Sequence, residues 1–80
     1  MKKEEVDELI TVHDISESGV NFRSKGYDIE SKAKELASKL ILLDYVTSVS
    51  IRWDLISQGL FYRHRYSVEG YLAIGAYIKA

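Results

Sequence analysis

The run from Asp28 to Leu43, DIESKAKELASKLILL, constrains the fold more than any other part of the chain. Ile29, Ala33, Leu36, Ala37, Leu40 and Ile41 recur at helical spacing, which lays one apolar stripe along a 3.6-residue period. Glu30, Ser31, Lys32, Lys34, Glu35, Ser38 and Lys39 fill the opposite side. Asp28 is placed to cap the first turn, accepting its orphan N–H groups. Glu30–Lys34 and Glu35–Lys39 are i,i+4 pairs in the favourable order. The outer face sums to near neutrality, and Ala33 and Ala37 allow close approach to a sheet. The expected role of this helix is to cover a core.

The flanking segments alternate with period two and read as strands. Ile10, Thr11 and Val12 are β-branched in succession, so Leu9–Ile15 is expected to be a strand. Val6, Leu9, Ile10 and His13 would also line a short helix, and residues 1–8 are otherwise expected to fray. Ser16–Gly19 reads as a turn and Val20–Arg23 as the returning strand. Beyond the helix, Tyr45–Trp53 and Leu60–Tyr66 alternate, separated by a turn over Asp54–Gly59. Leu55 and Ile56 are too apolar for a purely exposed loop. Ser67–Gly70 reads as a further turn and Tyr71–Ile78 as a last strand. A C-terminal helix is the alternative for that tail, disfavoured by Gly70 and Gly75.

The expected architecture is α+β in the order ββαβββ: an antiparallel sheet of about five strands with one helix on one face. Eighty residues make a single domain spanning 1–80. A net charge of −1 argues against bulk electrostatic attraction to nucleic acid. The absence of cysteine excludes disulfides, thiolate metal sites and a cysteine nucleophile. The basic start runs into acid rather than an apolar segment, so no signal peptide is expected. No apolar run approaches the ~20 residues of a membrane span. A soluble, cytoplasmic protein is the expectation.

One helix covers one face of such a sheet, so the other face carries the functional question. With Val20, Phe22, Val49, Ile51, Trp53, Leu60, Tyr62, Leu72, Ile74 and Ile78 turned to the helix, Arg23, Ser50, Arg52, Phe61, Arg63, Arg65, Tyr71 and Tyr77 face away. Arginine and tyrosine recur at interface hot spots, so Arg23, Arg52, Phe61, Arg63, Arg65, Tyr71 and Tyr77 are the candidate partner-binding residues. The same groups suit single-stranded nucleic acid, with rings stacking bases and arginines following phosphates. A solvated outer face with arginine stems lying over the rings is the bland alternative. A face-to-face homodimer burying Phe61, Tyr71 and Tyr77 is a third. Glu4, Glu5, Asp7, Glu8, Asp14 and Glu17 form an acidic cluster, read as solubilising charge or as a phosphate mimic for a basic partner.

Motifs for catalysis are sparse. His13 and Asp14, as neighbours on a strand, are expected to point to opposite faces. His64 is expected near Tyr62 and Tyr66 or at the sheet edge. Two distant histidines give no metal-ligand spacing. Gly70 and Gly75 lack the Lys and Ser/Thr of a phosphate loop. No enzyme activity, cofactor or metal is expected.

The runs Asp28–Lys39, Val49–Trp53 and Gly59–Arg63 together resemble small phage-encoded anti-CRISPR proteins, in which a single helix lies across an antiparallel sheet. The resemblance implies a stoichiometric inhibitor whose partner is a CRISPR effector complex. It would occlude that complex and block target DNA binding in the host cytoplasm.

Overall fold

A computed structural model describes residues 1–17 and 19–79. The elements are α1 (Lys3–Leu9), β1 (Ile10–His13), β2 (Val20–Ser24), α2 (Glu30–Leu40), β3 (Val46–Gln58), β4 (Phe61–Leu72) and α3 (Ile74–Lys79). The fold is α+β, with one antiparallel sheet of four strands in the order β1-β2-β4-β3. Among the described residues there are three helices, of which α1 and α3 are short.

The long helix behaves largely as its pattern dictates. Ala33, Leu36 and Leu40 are buried, and Ala37 packs against the same cluster. The stripe ends do not follow, because Ile29 and Ile41 lie half exposed beyond the core. The Glu30–Lys34 and Glu35–Lys39 pairs form at 2.7 and 3.5 Å. Asp28 does not cap: Ile29 is the N-cap residue, without a side-chain hydrogen bond, and the Asp28 carboxylate lies 3.7 Å from the Arg63 guanidinium.

Strand order explains why this helix crosses the sheet. β2 and β3 each pair antiparallel with β4, so they run parallel to one another with β4 between them. Parallel strands need a long crossover, and α2 supplies it. Sequential adjacency therefore fails at one place, where the β3–β4 hairpin inserts its second strand beside β2.

The expected ββαβββ order with five strands is corrected at four points. The first strand starts one residue later than expected and ends at His13, and the residues before it form α1, with Val6 fully buried. The expected turn at Asp54–Gly59 shrinks to Gly59–Leu60, because Gln58 pairs with Phe61 and Leu55 and Ile56 belong to β3. Gly59 has φ of 65° and Leu60 does not share it, the signature of a type II′ turn that suits the strand twist. The expected turn at Ser67–Gly70 is absent, since this stretch pairs with β3 throughout and with β2 from Glu69. The tail then forms α3 rather than a fifth strand. Ile74 and Tyr77 pack against the core, and this burial outweighs the low helix propensity of Gly75. The turn expected at Ser16–Gly19 includes Ser18, which lies outside the described residues; the Ser16 N–H donates to the Gly19 carbonyl at 2.8 Å.

Phe22, Leu40, Leu72, Val6 and Val68 are the largest fully buried side chains. Each such aliphatic or aromatic group contributes about 1.5–3 kcal/mol by leaving water. All three helices feed this one core from the same side. Where the β2–β4 ladder breaks after Arg23–Glu69, the Ser24 hydroxyl accepts a hydrogen bond from the Val68 N–H at 2.9 Å. The ladder resumes at Tyr27, which exchanges two backbone bonds with Tyr66.

Candidate functional site

Cross-strand partners share a face of a sheet, so the register assigns both faces. Arg23 opposes Glu69, Arg52 opposes Ser67, Asp54 opposes Arg65, Ile56 opposes Arg63 and Gln58 opposes Phe61, all on the face without helices. Six of the seven expected partner-binding residues, Arg23, Arg52, Phe61, Arg63, Arg65 and Tyr71, fall there. Tyr77 does not. It sits on α3 on the helical side, edge-on to Tyr45 at 5.4 Å, with the Lys3 ammonium 4.6 Å from its ring centre. Its hydroxyl donates to the Asp7 carboxylate, tying α3 to α1. That hydrogen bond, with burial and the Asp7 charge, pushes the Tyr77 phenol up to about 12. Tyr77 leaves the outer face because the tail is helical rather than a strand.

The six remaining residues divide into two groups. Near the core, Glu69 lies between Arg23 and Arg52. Arg23 Nε donates to Glu69 Oε1 at 2.9 Å, and Arg52 Nη1 donates to the same oxygen at 3.1 Å. Arg52 Nε also lies 3.5 Å from Asp54. Burial alone would raise the Glu69 carboxyl, but the hydrogen bonds and charges of the two arginines outweigh it and hold the group below the usual carboxylate range. With Arg63 3.7 Å from Asp28, three of the four arginines of this face have an acidic partner. Glu69 joins this face because it lies in β4, where the Ser67–Gly70 turn was expected. Arg23, Arg52 and Glu69, with Asn21, Ser48 and Tyr71, border an open depression of about 500 Å³.

Farther out lies the second group. β3 and β4 continue together past Tyr66, where contact with the Tyr27 backbone ends, as a two-stranded arm. From Trp53 to Gln58 that arm extends about 20 Å, and it makes the molecule elongated at 47 × 23 × 18 Å. Phe61 is 76% exposed, and Arg63 and Arg65 follow it on the outer face. The Arg65 stem lies against Gly26.

The helical side of the arm is uncovered. Trp53, Leu60 and Tyr62 were expected to be covered, yet they are 58%, 94% and 73% exposed, because the helices stop short of them. His64 lies edge-on to Trp53 at 5.2 Å and stacks on Tyr66 at 5.9 Å, as its neighbours suggested. The arm therefore shows apolar groups on both faces and at its tip. The signal for it was the apolar pair Leu55–Ile56 inside an expected turn.

His13 and Asp14 meet, contrary to expectation. Asp14 adopts a left-handed φ of 50° as the chain leaves β1, which brings its carboxylate 3.0 Å from His13 Nδ1. Both side chains are well exposed. Among the described residues no group of His, Asp or Glu is arranged to hold a metal ion. No helix among them is long and apolar enough to cross a membrane.

Fold and site together define a small α+β domain bearing a projecting aromatic and arginine hairpin. Comparisons with protein-family models, curated proteins and solved structures return no match to this chain.

Proposed function

We propose that this chain is a non-enzymatic binding protein that acts by occluding a protein surface, with the outer arm as its contact element. One observation carries the reading. The β3–β4 arm leaves the core and exposes Trp53, Leu55, Leu60, Phe61 and Tyr62 beside Arg63 and Arg65. Exposed aromatic groups flanked by arginine are the composition of interface hot spots, and exposed apolar patches mark interaction sites. Arg23 and Arg52 are both hydrogen-bonded to Glu69, whereas Arg63 keeps only a 3.7 Å approach to Asp28, which supports the arm as the centre of the site.

The resemblance to small phage anti-CRISPR proteins makes a CRISPR effector complex the first partner to test, with blocked target DNA binding as the outcome. Single-stranded nucleic acid is the second reading, favoured by the placement of Phe61, Arg63 and Arg65 on one strand face. The test is capture of purified effector complexes by the wild-type chain and by the double variant Arg63→Glu/Arg65→Glu. Loss of capture with an unchanged melting temperature supports the arm; capture undiminished by the double variant overturns it. A gel shift with single-stranded DNA at low and physiological salt separates the readings, since phosphate binding weakens steeply with salt.

A further inference from the structure

Of the two edges of the sheet, β1 is a short strand of four residues, whereas β3 runs for thirteen with its outer side open. Long open edges are normally blunted by proline, lysine or an inward charge, because they are templates for another strand. β3, VTSVSIRWDLISQ, has none of the first two, and its only charges are Arg52 and Asp54. Those two share the outer face and flank Trp53, the only tryptophan of the chain.

That arrangement is self-complementary about Trp53. In an antiparallel pair of β3 strands related by a two-fold axis, residues sharing a face must oppose one another. Centring the axis on Trp53 sets Arg52 against Asp54 of the second copy, and Asp54 against its Arg52. On the helical side it sets Trp53 against Trp53 and Ile51 against Leu55. Centring on Arg52 or Asp54 would oppose like charges at the axis. Arg52 and Asp54 already lie 3.5 Å apart within one chain, with Arg52 also held by Glu69 at 3.1 Å, so the pairing sets two opposite-charge pairs side by side at the axis.

We infer that the partner of the β3 edge is a second copy of this chain, joined in the Trp53-centred register into one continuous sheet. Every helix then lies on the same side, the half-exposed Trp53 and Leu55 gain apolar neighbours, and both outer faces remain open. This dimer takes Trp53 and Leu55 of the arm into its seam and, unlike a face-to-face dimer, leaves Leu60, Phe61, Arg63 and Arg65 uncovered.

The test uses light scattering at about 100 μM and the charge logic of the register. The wild-type chain is expected to be a dimer. Arg52→Glu and Asp54→Arg, each opposing like charges in its own dimer, are expected to weaken association at least about tenfold. Mixing the two is expected to restore it, because each then meets its opposite. A monomeric wild-type chain, or two folded variants whose mixture stays monomeric, overturns the register. Should either variant fail to fold, cysteine mapping on the otherwise wild-type chain decides. The chain has no native cysteine, so Trp53→Cys should cross-link to itself, and Ser50→Cys should cross-link to Ile56→Cys only on mixing. Any other pattern overturns the proposal.

Discussion

The ring of Phe22 fills the space that a side chain at Gly70 would need, directly across the β2–β4 ladder. A Cβ at Gly70 would collide with that ring and with the Ser48 carbonyl oxygen of the other neighbouring strand. Gly70 is therefore a packing residue in the middle of a strand, not a turn residue. Gly70→Ala is expected to cost roughly 1–3 kcal/mol, at the upper end because one neighbour is backbone. Thermal unfolding measures it, and a change below about 0.5 kcal/mol would show that the ring can move aside.

Ser24 is buried and stands in for a missing ladder bond by accepting from the Val68 N–H. Ser24→Ala leaves that N–H without its acceptor, at an expected cost of about 1–3 kcal/mol. Urea unfolding gives the loss, and hydrogen exchange at Val68 should quicken more than at Leu72.

Glu69 contributes stability that depends on acid pH. Its folded value lies below the ordinary carboxyl value of 4.5, so its contribution is complete above that value and is lost as pH falls through the folded value. Glu69→Gln is expected to cost about 1 kcal/mol at neutral pH, because the group is partly solvated and screened. The difference between wild type and variant should shrink below about pH 4 and in high salt. A difference that ignores both pH and salt would mean that the arginine pairs contribute nothing.

Tyr77 sets the opposite limit. Its folded value is raised from 10.0 to about 12, so its contribution is present below pH 10 and disappears as pH rises toward 12. Tyr77→Phe is expected to lose about 1 kcal/mol at neutral pH and to show a weaker decline in stability across that alkaline range. Ultraviolet titration of the phenolate checks the shifted group directly.

At the arm tip the expected outcome is the reverse of that at Gly70. Leu60 and Phe61 are 94% and 76% exposed, so Leu60→Ser and Phe61→Ser should change stability by no more than about 0.5 kcal/mol. If either substitution lowers the melting temperature sharply, the tip is packed in solution, as it would be inside an assembly.

Much of this was legible from local pattern. The α2 stripe, the alternation of β3 and β4 and the face assignment of Arg23, Arg52, Phe61, Arg63, Arg65 and Tyr71 all follow from periods of 3.6 and 2, which the backbone enforces within a single element. Element ends were less legible. Asp28 has a good capping side chain, yet it lies beside Arg63, thirty-five positions away in the chain. Gly70 and Ser67 have turn chemistry, yet they extend a central strand because Phe22 and β3 close over them.

The amino-acid sequence by itself determined one amphipathic helix, paired strands and which side chains share a face, since these depend on neighbours a few residues apart. Only the tertiary structure decided where cover ends. Trp53 and Val68 lie on the same face of the same hairpin, one 58% exposed and the other fully buried. The difference is that α2, a helix of eleven residues rising ~1.5 Å per residue, is shorter than the thirteen-residue β3 rising ~3.4 Å per residue. A helix too short for its sheet leaves an arm, and that arm is where the proposed function lies.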